Sequence, residues 1–122
     1  TIGHEFETKY GLLEWFLSQD GRCKGYTRAV FSGLPTVVLA GVVRDVIIPN
    51  TELTGLYHVA AQPIDKFELL NLIADVYSKE IEIESDDSLV INRSLDATRL
   101  REATGYVAPA WPELIKTMYC CR

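Results

Sequence analysis

The chain has 122 residues, of which 48% are hydrophobic and 24% are charged, and its formal net charge is −5. This composition is typical of a folded globular protein and excludes disordered, collagen-like and low-complexity classes. At roughly 150 residues per domain, the chain forms at most one domain. The negative charge argues against a nucleic-acid-binding surface. No apolar run reaches the about 18 to 20 residues of a membrane-spanning helix, so we expect a soluble protein.

The N-terminus and the cysteines bear on the context of the chain. It begins at Thr1 with no initiating Met and no signal peptide, so we expect either a processed product or the tail of a longer protein. Its three cysteines, Cys23, Cys120 and Cys121, lack the spacing of a disulfide framework or of a zinc site. A reducing cytoplasm is therefore the expected location.

The first part of the chain predicts a helix, a strand and a second helix. Apolar residues surround a buried helix expected over Gly11–Gln19. The segment Cys23–Phe31 roughly alternates and is rich in strand-forming residues, which predicts one strand followed by a turn. Thr36 then serves as the expected N-cap of a one-sided amphipathic helix over Val37–Ile48.

The middle of the chain predicts two strands around a helix. Gly55–Ala61 is short and mostly apolar, as in an interior strand of a parallel sheet. An apolar stripe predicts a helix over Pro63–Tyr77, with Asp65 able to cap its start. Glu80–Glu84 alternates strictly between glutamate and isoleucine, which predicts an edge strand with its glutamates facing solvent or a cationic partner.

The last part predicts two helices, over Ala97–Thr104 with a stop at Gly105, and over Pro112–Tyr119. The order of helices and strands indicates an α/β fold with a parallel sheet. Such a sheet would have only two or three strands and would leave apolar helix faces uncovered. The element list therefore resembles part of a larger architecture.

Compact catalytic motifs are absent from the chain. It contains no glycine-rich cofactor fingerprint, no P-loop, no zinc-protease motif and no serine-hydrolase elbow. His58 lies within the predicted apolar strand, which favours a structural histidine over a catalytic one. No histidine is placed by any signature beside a cysteine, so a cysteine-dependent enzyme or metal protein is the least favoured hypothesis.

Two features could bind an anion. The turn Ser32–Thr36 lets the backbone approach a ligand closely, although its residue types alone favour a purely structural turn. Arginine suits bidentate phosphate contacts, and Arg93 lies in a loop before a helix. For Arg99 and Arg101 we favour the simpler interpretation, in which they pair with Glu102 and Asp96 on the helix surface.

Several segments in a fixed order carry a family resemblance. They are Ser32-Gly33-Leu34-Pro35-Thr36, Gly55-Leu56-Tyr57-His58-Val59, Ser94-Leu95-Asp96-Ala97-Thr98-Arg99-Leu100, Gly105-Tyr106 and Pro109-Ala110-Trp111. Together they resemble the C-terminal half of the extended short-chain dehydrogenases/reductases, nearest to the dTDP-4-dehydrorhamnose reductases among the nucleotide-sugar reductases. The opening residues Thr1 to Glu5 resemble the continuation of the sixth Rossmann strand of that family.

The resemblance implies a partial Rossmann-type sheet plus the small α/β substrate-binding subdomain, with residues 1–122 as a single C-terminal portion. In the family the cofactor fingerprint and the catalytic Tyr-x-x-x-Lys pair precede this portion. It therefore implies that NAD(P) belongs to the full-length parent, and that this chain holds no catalytic, cofactor-binding or metal-binding residue. The positions implied to bind the nucleotide-sugar substrate are Ser32, Gly33, Thr36 and Arg93.

Two functions follow as expectations. The first is the substrate-binding portion of an NAD(P)-dependent nucleotide-sugar reductase for polysaccharide precursors, which is catalytically silent without its N-terminal half. The second is a stand-alone binding or assembly module derived from such a domain, in which the strand at Gly55–Ala61 pairs with a second copy of the chain. Neither function calls for nucleic acid or a membrane as a partner.

Overall fold

A computed structural model describes residues 1–122, which form five α-helices and five β-strands. The helices are α1 Leu12–Ser18, α2 Thr36–Val42, α3 Lys66–Tyr77, α4 Thr98–Thr104 and α5 Trp111–Cys120. The strands are β1 Arg22–Tyr26, β2 Ala29–Phe31, β3 Ile64–Asp65, β4 Glu82–Asp86 and β5 Ile91–Asn92. The predicted α/β class is confirmed.

The strands form two small sheets. In the first, β1 pairs in parallel with β4, with Cys23 opposite Ile83. In the second, β2 lies between β3, to which it is antiparallel, and β5, to which it is parallel. The prediction of one strand over Cys23–Phe31 is therefore wrong. The chain turns after Tyr26, where the Thr27 N–H donates to the Asp86 carbonyl at 2.9 Å, and β2 then enters the other sheet.

The predicted interior strand at Gly55–Ala61 is also wrong. This segment belongs to neither sheet, and its one backbone hydrogen bond to another element runs from the Ala61 N–H to the Ser32 carbonyl, at 2.7 Å. Leu56 and His58 are both exposed. A strand is stabilised by a neighbour that offers a row of backbone partners, and the 122 residues place none beside this segment. His58 is accordingly not the structural histidine of a buried strand.

The helix predicted over Val37–Ile48 forms, but with a different start and a wider second half. Pro35 occupies the N-cap position and Thr36 is already helical, so the predicted Thr36 cap is wrong. From Val43 the helix continues as a π-helical turn, in which the Ile48 N–H donates to the Val43 carbonyl at 3.0 Å. Val43 and Ile47, at the two ends of this turn, are both exposed and do not join the core.

Helix α3 confirms its prediction from local sequence except at the start, because Ile64–Asp65 form strand β3 and the helix begins at Lys66. The Asp65 carboxylate accepts a hydrogen bond from the Glu68 N–H at 2.9 Å and caps the first turn. Ser78 ends the helix in the left-handed region, at φ 52°. The inner face of α3 packs on α5 in a core that also takes residues from α1 and α2. Large, fully buried members of this core are Phe16, Leu13, Leu34, Leu69, Leu70, Ile73, Leu114 and Ile115.

The remaining elements differ from the predictions mainly at their ends. Strand β4 lies two residues later than predicted and is an edge strand, since its sheet has only two strands. As predicted, Ile83 points inward while Glu82 and Glu84 are exposed, and Glu82 pairs with Arg22 at 3.2 Å. Helix α4 stops at Gly105, which has φ 78°. Helix α5 carries a proline in its first turn, as predicted.

Candidate functional site

The turn that joins β2 to α2 holds three of the four predicted substrate residues, and Ser32 is its anchor. The Ser32 side chain is completely buried. Its hydroxyl oxygen accepts a hydrogen bond from the Leu95 N–H at 2.8 Å, and its carbonyl accepts from the Ala61 N–H at 2.7 Å. Ser32 therefore ties together two segments that are 34 residues apart, at 61 and 95, and fixes their separation.

Gly33 is required by the packing of an aromatic ring. A Cβ atom added at Gly33 would lie 2.5 Å from Cζ of Phe31. The Phe31 ring in turn packs against Trp111, with 6.0 Å between the ring centroids, and the Trp111 indole N–H donates to the Gln62 carbonyl at 2.6 Å. The open side of this glycine is thus filled by protein. The turn does not provide the open glycine loop that would receive a dinucleotide pyrophosphate.

Thr36 and Arg93 have exposed side chains. The Thr36 N–H donates to the Ile2 carbonyl at 2.9 Å, and its hydroxyl lies 3.4 Å from the same oxygen. Ile2 in turn bonds to Leu34 and forms a parallel bridge with Pro35, so the first residues lie strand-like against this turn. The Arg93 N–H donates to Val30 at 3.0 Å, while its guanidinium makes no ion pair or hydrogen bond within the chain.

A cleft of about 420 Å³ lies beside this turn. Three segments line it, at residues 60–63, 94–98 and 106–108, together with Arg101 from α4. Ser32 bonds to residues of the first two segments, although it does not itself line the cleft. Arg93 immediately precedes the second segment. Ser32 thus fixes two segments of the cleft and Arg93 adjoins one of them in sequence, but none of the four predicted residues lines the cleft.

Asp96 is the carboxylate of the cleft. Its Oδ1 atom accepts hydrogen bonds from the N–H of Thr98, at 2.8 Å, and from the Thr98 hydroxyl. These bonds hold the pKa of Asp96 below its ordinary value, and the positive charge of Arg101 lowers this pKa further. Because a carboxylate accepts hydrogen bonds and donates none, the cleft presents an ionised acceptor to hydroxyl or amine donors.

The two arginines of α4 do not make the ion pairs predicted for them. Neither Arg99 nor Arg101 comes within 4.0 Å of a carboxylate oxygen. Instead, the Arg99 guanidinium lies 4.3 Å from the centre of the Tyr57 ring and donates to the carbonyls of Thr54 and Leu56. The Arg99 guanidinium thereby holds the loop before the cleft against α4. The predicted ion pairing of Arg99 is wrong because the loop at 54–57, which is distant in sequence, offers this side chain two carbonyls and an aromatic face.

The sequence analysis missed a second polar cluster, built on His4. Its Nδ1 lies 3.1 Å from Oε1 of Glu14, and its Nε2 lies 2.9 Å from the Tyr77 hydroxyl oxygen. A neutral imidazole that donates to the carboxylate accepts from the phenol, so both ring nitrogens are satisfied. The cluster joins the N-terminal segment to α1 and α3. No sequence signal points to it, because 73 residues separate His4 from Tyr77.

The titration of Tyr77 gives a first test of the packing. Burial, followed by the negative charge of Glu14, raises the pKa of Tyr77 from 10.0 to about 12, against the opposing effect of Arg122. The folded state thus disfavours the phenolate. This contribution to stability is complete below the unfolded pKa of 10.0 and is lost as the pH rises towards about 12. We expect urea unfolding to show a steeper loss of stability above pH about 10 for the natural chain than for Tyr77→Phe.

Tyr10→Phe is the matched control for this measurement, because Tyr10 is 93% exposed. Its unfolding free energy should depend on pH in the same way as that of the natural chain. Identical pH slopes for Tyr77→Phe and the natural chain would contradict the burial of the phenol.

The other groups considered in the sequence add no site. Cys23 is buried, which raises the pKa of its thiol, while Cys120 and Cys121 are exposed, and all three are free thiols. No three His, Cys, Asp or Glu side chains are grouped closely enough to hold a metal ion. None of the helices has the length and apolar character required to cross a membrane. The hydroxyl of Tyr106, a residue that lines the cleft, is the one buried side-chain polar atom without a hydrogen-bond partner.

Comparison with known proteins supports the fold. No protein-family model and no curated sequence matches the chain. Among solved structures, dTDP-4-dehydrorhamnose reductase from Bacillus anthracis, in complex with NADP, aligns with 93% of this chain and 44% of its own, with a TM-score of 0.78 and 14% identity. RMD from Pseudomonas aeruginosa, complexed with NADPH, aligns with 88% of this chain and 37% of its own, with a TM-score of 0.59 and 22% identity.

The chain thus spans less than half the length of each of these two reductases. The expected resemblance to the dTDP-4-dehydrorhamnose reductase branch is confirmed at the level of the fold. The 122 residues adopt part of the Rossmann-like α/β architecture of these two reductases.

Proposed function

We propose that the chain is the substrate-binding portion of an NAD(P)-dependent nucleotide-sugar reductase. The observation that carries the proposal is the alignment of 93% of the chain with dTDP-4-dehydrorhamnose reductase, at a TM-score of 0.78. The ordered sequence motifs led independently to the same branch. The chain corresponds to 44% of that reductase, so the complete activity would require residues outside these 122.

Arg93 is the residue that we assign to the diphosphate of the substrate. Its exposed guanidinium has no partner within the chain and directly precedes the segment 94–98 of the cleft. Guanidinium groups bind phosphate oxygens in a bidentate manner. Since the overall charge of the chain is −5, an anionic ligand must be held by such local groups and not by the general field of the protein.

The turn Ser32–Thr36 supports this site in two ways. Ser32 and Gly33 act by position, because Ser32 fixes two cleft segments and Gly33 lets the turn close over Phe31. Thr36 has an exposed side chain and is assigned a direct polar contact with the ligand. This division keeps all four predicted residues in the substrate site but gives them different tasks.

The cofactor belongs to another part of the parent protein in this proposal. NAD(P) would supply the hydride for reduction of the sugar ketone. The one glycine-containing strand–turn–helix of this chain, at Gly33, is closed by Phe31 and does not fit a dinucleotide. What this chain contributes is binding and orientation of the substrate, so we expect no NAD(P)H-dependent reduction by the 122 residues alone.

Calorimetric titration of the purified chain with dTDP-glucose and UDP-glucose tests the proposal. We expect at least one of them to bind, and Arg93→Ala to weaken binding about tenfold or more, because the variant lacks a charge-assisted hydrogen bond. Arg22→Ala is the matched control, since Arg22 is an exposed arginine that pairs with Glu82 on the other sheet. Absence of binding by the natural chain, or equal losses for both variants, would contradict the proposal.

The assembly module is the second candidate, and one observation favours it. The segment Gly55–Ala61 has no neighbouring strand, and Leu56 is 71% exposed on it. A second copy of the chain would cover this segment by backbone pairing. Light scattering distinguishes the two candidates, because a strictly monomeric mass at high concentration would exclude the assembly module.

A further inference from the structure

We propose that the cleft binds a vicinal diol, that is, two adjacent hydroxyl groups of a sugar ring, and that Asp96 accepts their hydrogen bonds. This inference rests on the proposed function and deepens it. It assigns the neutral, hydroxylated part of the ligand to the cleft and leaves the diphosphate to Arg93. The diol could come from a ribose or from a hexose, which share the same chemistry.

The Asp96 carboxylate has one oxygen held by the protein and one oxygen free to bind a ligand. Its Oδ1 atom is occupied by the N–H and the hydroxyl of Thr98, which fix the carboxylate at the start of α4. Its Oδ2 atom accepts no hydrogen bond from the protein, and Asp96 lines the cleft. An oriented, ionised carboxylate with a free oxygen is the acceptor that sugar hydroxyls require, as in the carboxylates that bind the ribose of dinucleotides.

The charged side chains that line the cleft favour a neutral part of a ligand. The cleft is lined by one carboxylate, Asp96, and one guanidinium, Arg101, so its charged side chains cancel. A diphosphate would gain no net attraction from this pair, whereas a neutral sugar can donate to the carboxylate and accept from the guanidinium. Arg93, the cation proposed for the diphosphate, lies outside the lining. One ligand could thus place its anionic and neutral parts at two adjacent positions.

The size of the cleft and the residues that line it also suit a sugar ring. The volume of about 420 Å³ lies within the range of small-molecule pockets and leaves room for a sugar ring. Seven of the thirteen lining residues are hydrophobic, among them Ala60, Leu95 and Val107. A sugar ring has apolar C–H faces as well as hydroxyl groups at its edge. The cleft offers a complementary surface to both.

The variant Asp96→Asn isolates the proposed contact. Asparagine retains an Oδ1 acceptor for Thr98, so the turn is preserved, but it loses the charge and replaces Oδ2 with a donor. Asp87→Asn is the matched control, because Asp87 is an exposed carboxylate outside the cleft. Thermal unfolding of both variants should coincide with that of the natural chain, which separates a lost contact from a lost fold.

Calorimetric titration with four nucleotides identifies the source of the diol. UDP has the diol of its ribose, dTDP-glucose has the diols of its glucose, UDP-glucose has both, and dTDP has neither. We expect Asp96→Asn to leave dTDP binding unchanged and to weaken UDP, dTDP-glucose or both about tenfold or more, since a hydrogen bond to a charged group is lost. Weakening of UDP assigns a ribose to the cleft, and weakening of dTDP-glucose assigns a hexose.

Two results would overturn the inference alone. They are unchanged affinity of Asp96→Asn for all four nucleotides, and an equal loss for dTDP. If none of the four binds the natural chain, the proposed function itself fails. In that case the NMR resonance of the Thr98 amide tests the diol site. Methyl glucoside or ribose should shift this resonance in the natural chain but not in Asp96→Asn. No shift would overturn the site as well.

Discussion

Phe16→Ala should cost about 3–5 kcal/mol of unfolding free energy, the usual range when a buried phenylalanine is truncated. Phe16 is 0% exposed and heads the large side chains that are fully buried in the structure. It belongs to the core shared by α1, α3 and α5. A typical domain has a total stability of about 5–15 kcal/mol, so the variant should be unfolded or close to its midpoint at moderate urea concentrations. Urea titration followed by circular dichroism measures the effect.

Phe6→Ala provides a control with the same chemical change. Phe6 is fully exposed in the N-terminal segment. Truncation of this side chain removes no buried apolar surface, so the unfolding free energy should change by less than about 0.5 kcal/mol. Similar losses for the two variants would mean that Phe16 is not in the core, and would contradict the placement of α1.

Gly33→Ala is expected to cost about 1–3 kcal/mol, because it overfills a packed region. The new Cβ would meet the Phe31 ring at 2.5 Å. The ring cannot move freely, since it packs against Trp111, which is itself held by a hydrogen bond to Gln62. The same displacement would reach the cleft, of which Gln62 is a lining residue. We therefore expect weaker nucleotide-sugar binding together with the lower stability.

Gly41→Ala should have the opposite sign. Gly41 lies in α2, and a Cβ added there meets no atom within 4 Å. Alanine is favoured over glycine in a helix by about 0.5–1 kcal/mol, so this variant should be more stable than the natural chain. Chemical denaturation of the two variants side by side tests the assignment. Stabilisation by Gly33→Ala would show that Phe31 does not occupy the open side of the turn.

Most helices could be predicted from the sequence because their signals are local. The cap at Asp65 acts over three residues, and the stop at Gly105 depends on one left-handed residue. Alternation around Ile83 likewise indicated which face of β4 turns inward. The π-helical turn after Val42 had no such signal, since its residues also suit an α-helix.

The candidate site was predictable only in part. The motif around Asp96 was recognised as part of a resemblance, and its Asp-x-Thr spacing is the one signal that could have singled out the fixed carboxylate. The burial of Ser32 and the closure of Gly33 by Phe31 could not be predicted, because each depends on side chains that only the fold brings together. The contact between Arg99 and the Tyr57 ring could not be predicted for the same reason.

By itself, the sequence determined the α/β class, the positions of the helices, the acidic character of the chain and its likeness to a portion of a nucleotide-sugar reductase. The tertiary structure decided which strands pair, that Gly55–Ala61 pairs with none, and that residues 60–63 and 94–98 line one cleft. The physical reason is the range of the interactions. Helix caps and periodicity act within a few residues, whereas strand pairing, ring packing and the spacing of a binding cleft depend on contacts between residues distant along the chain.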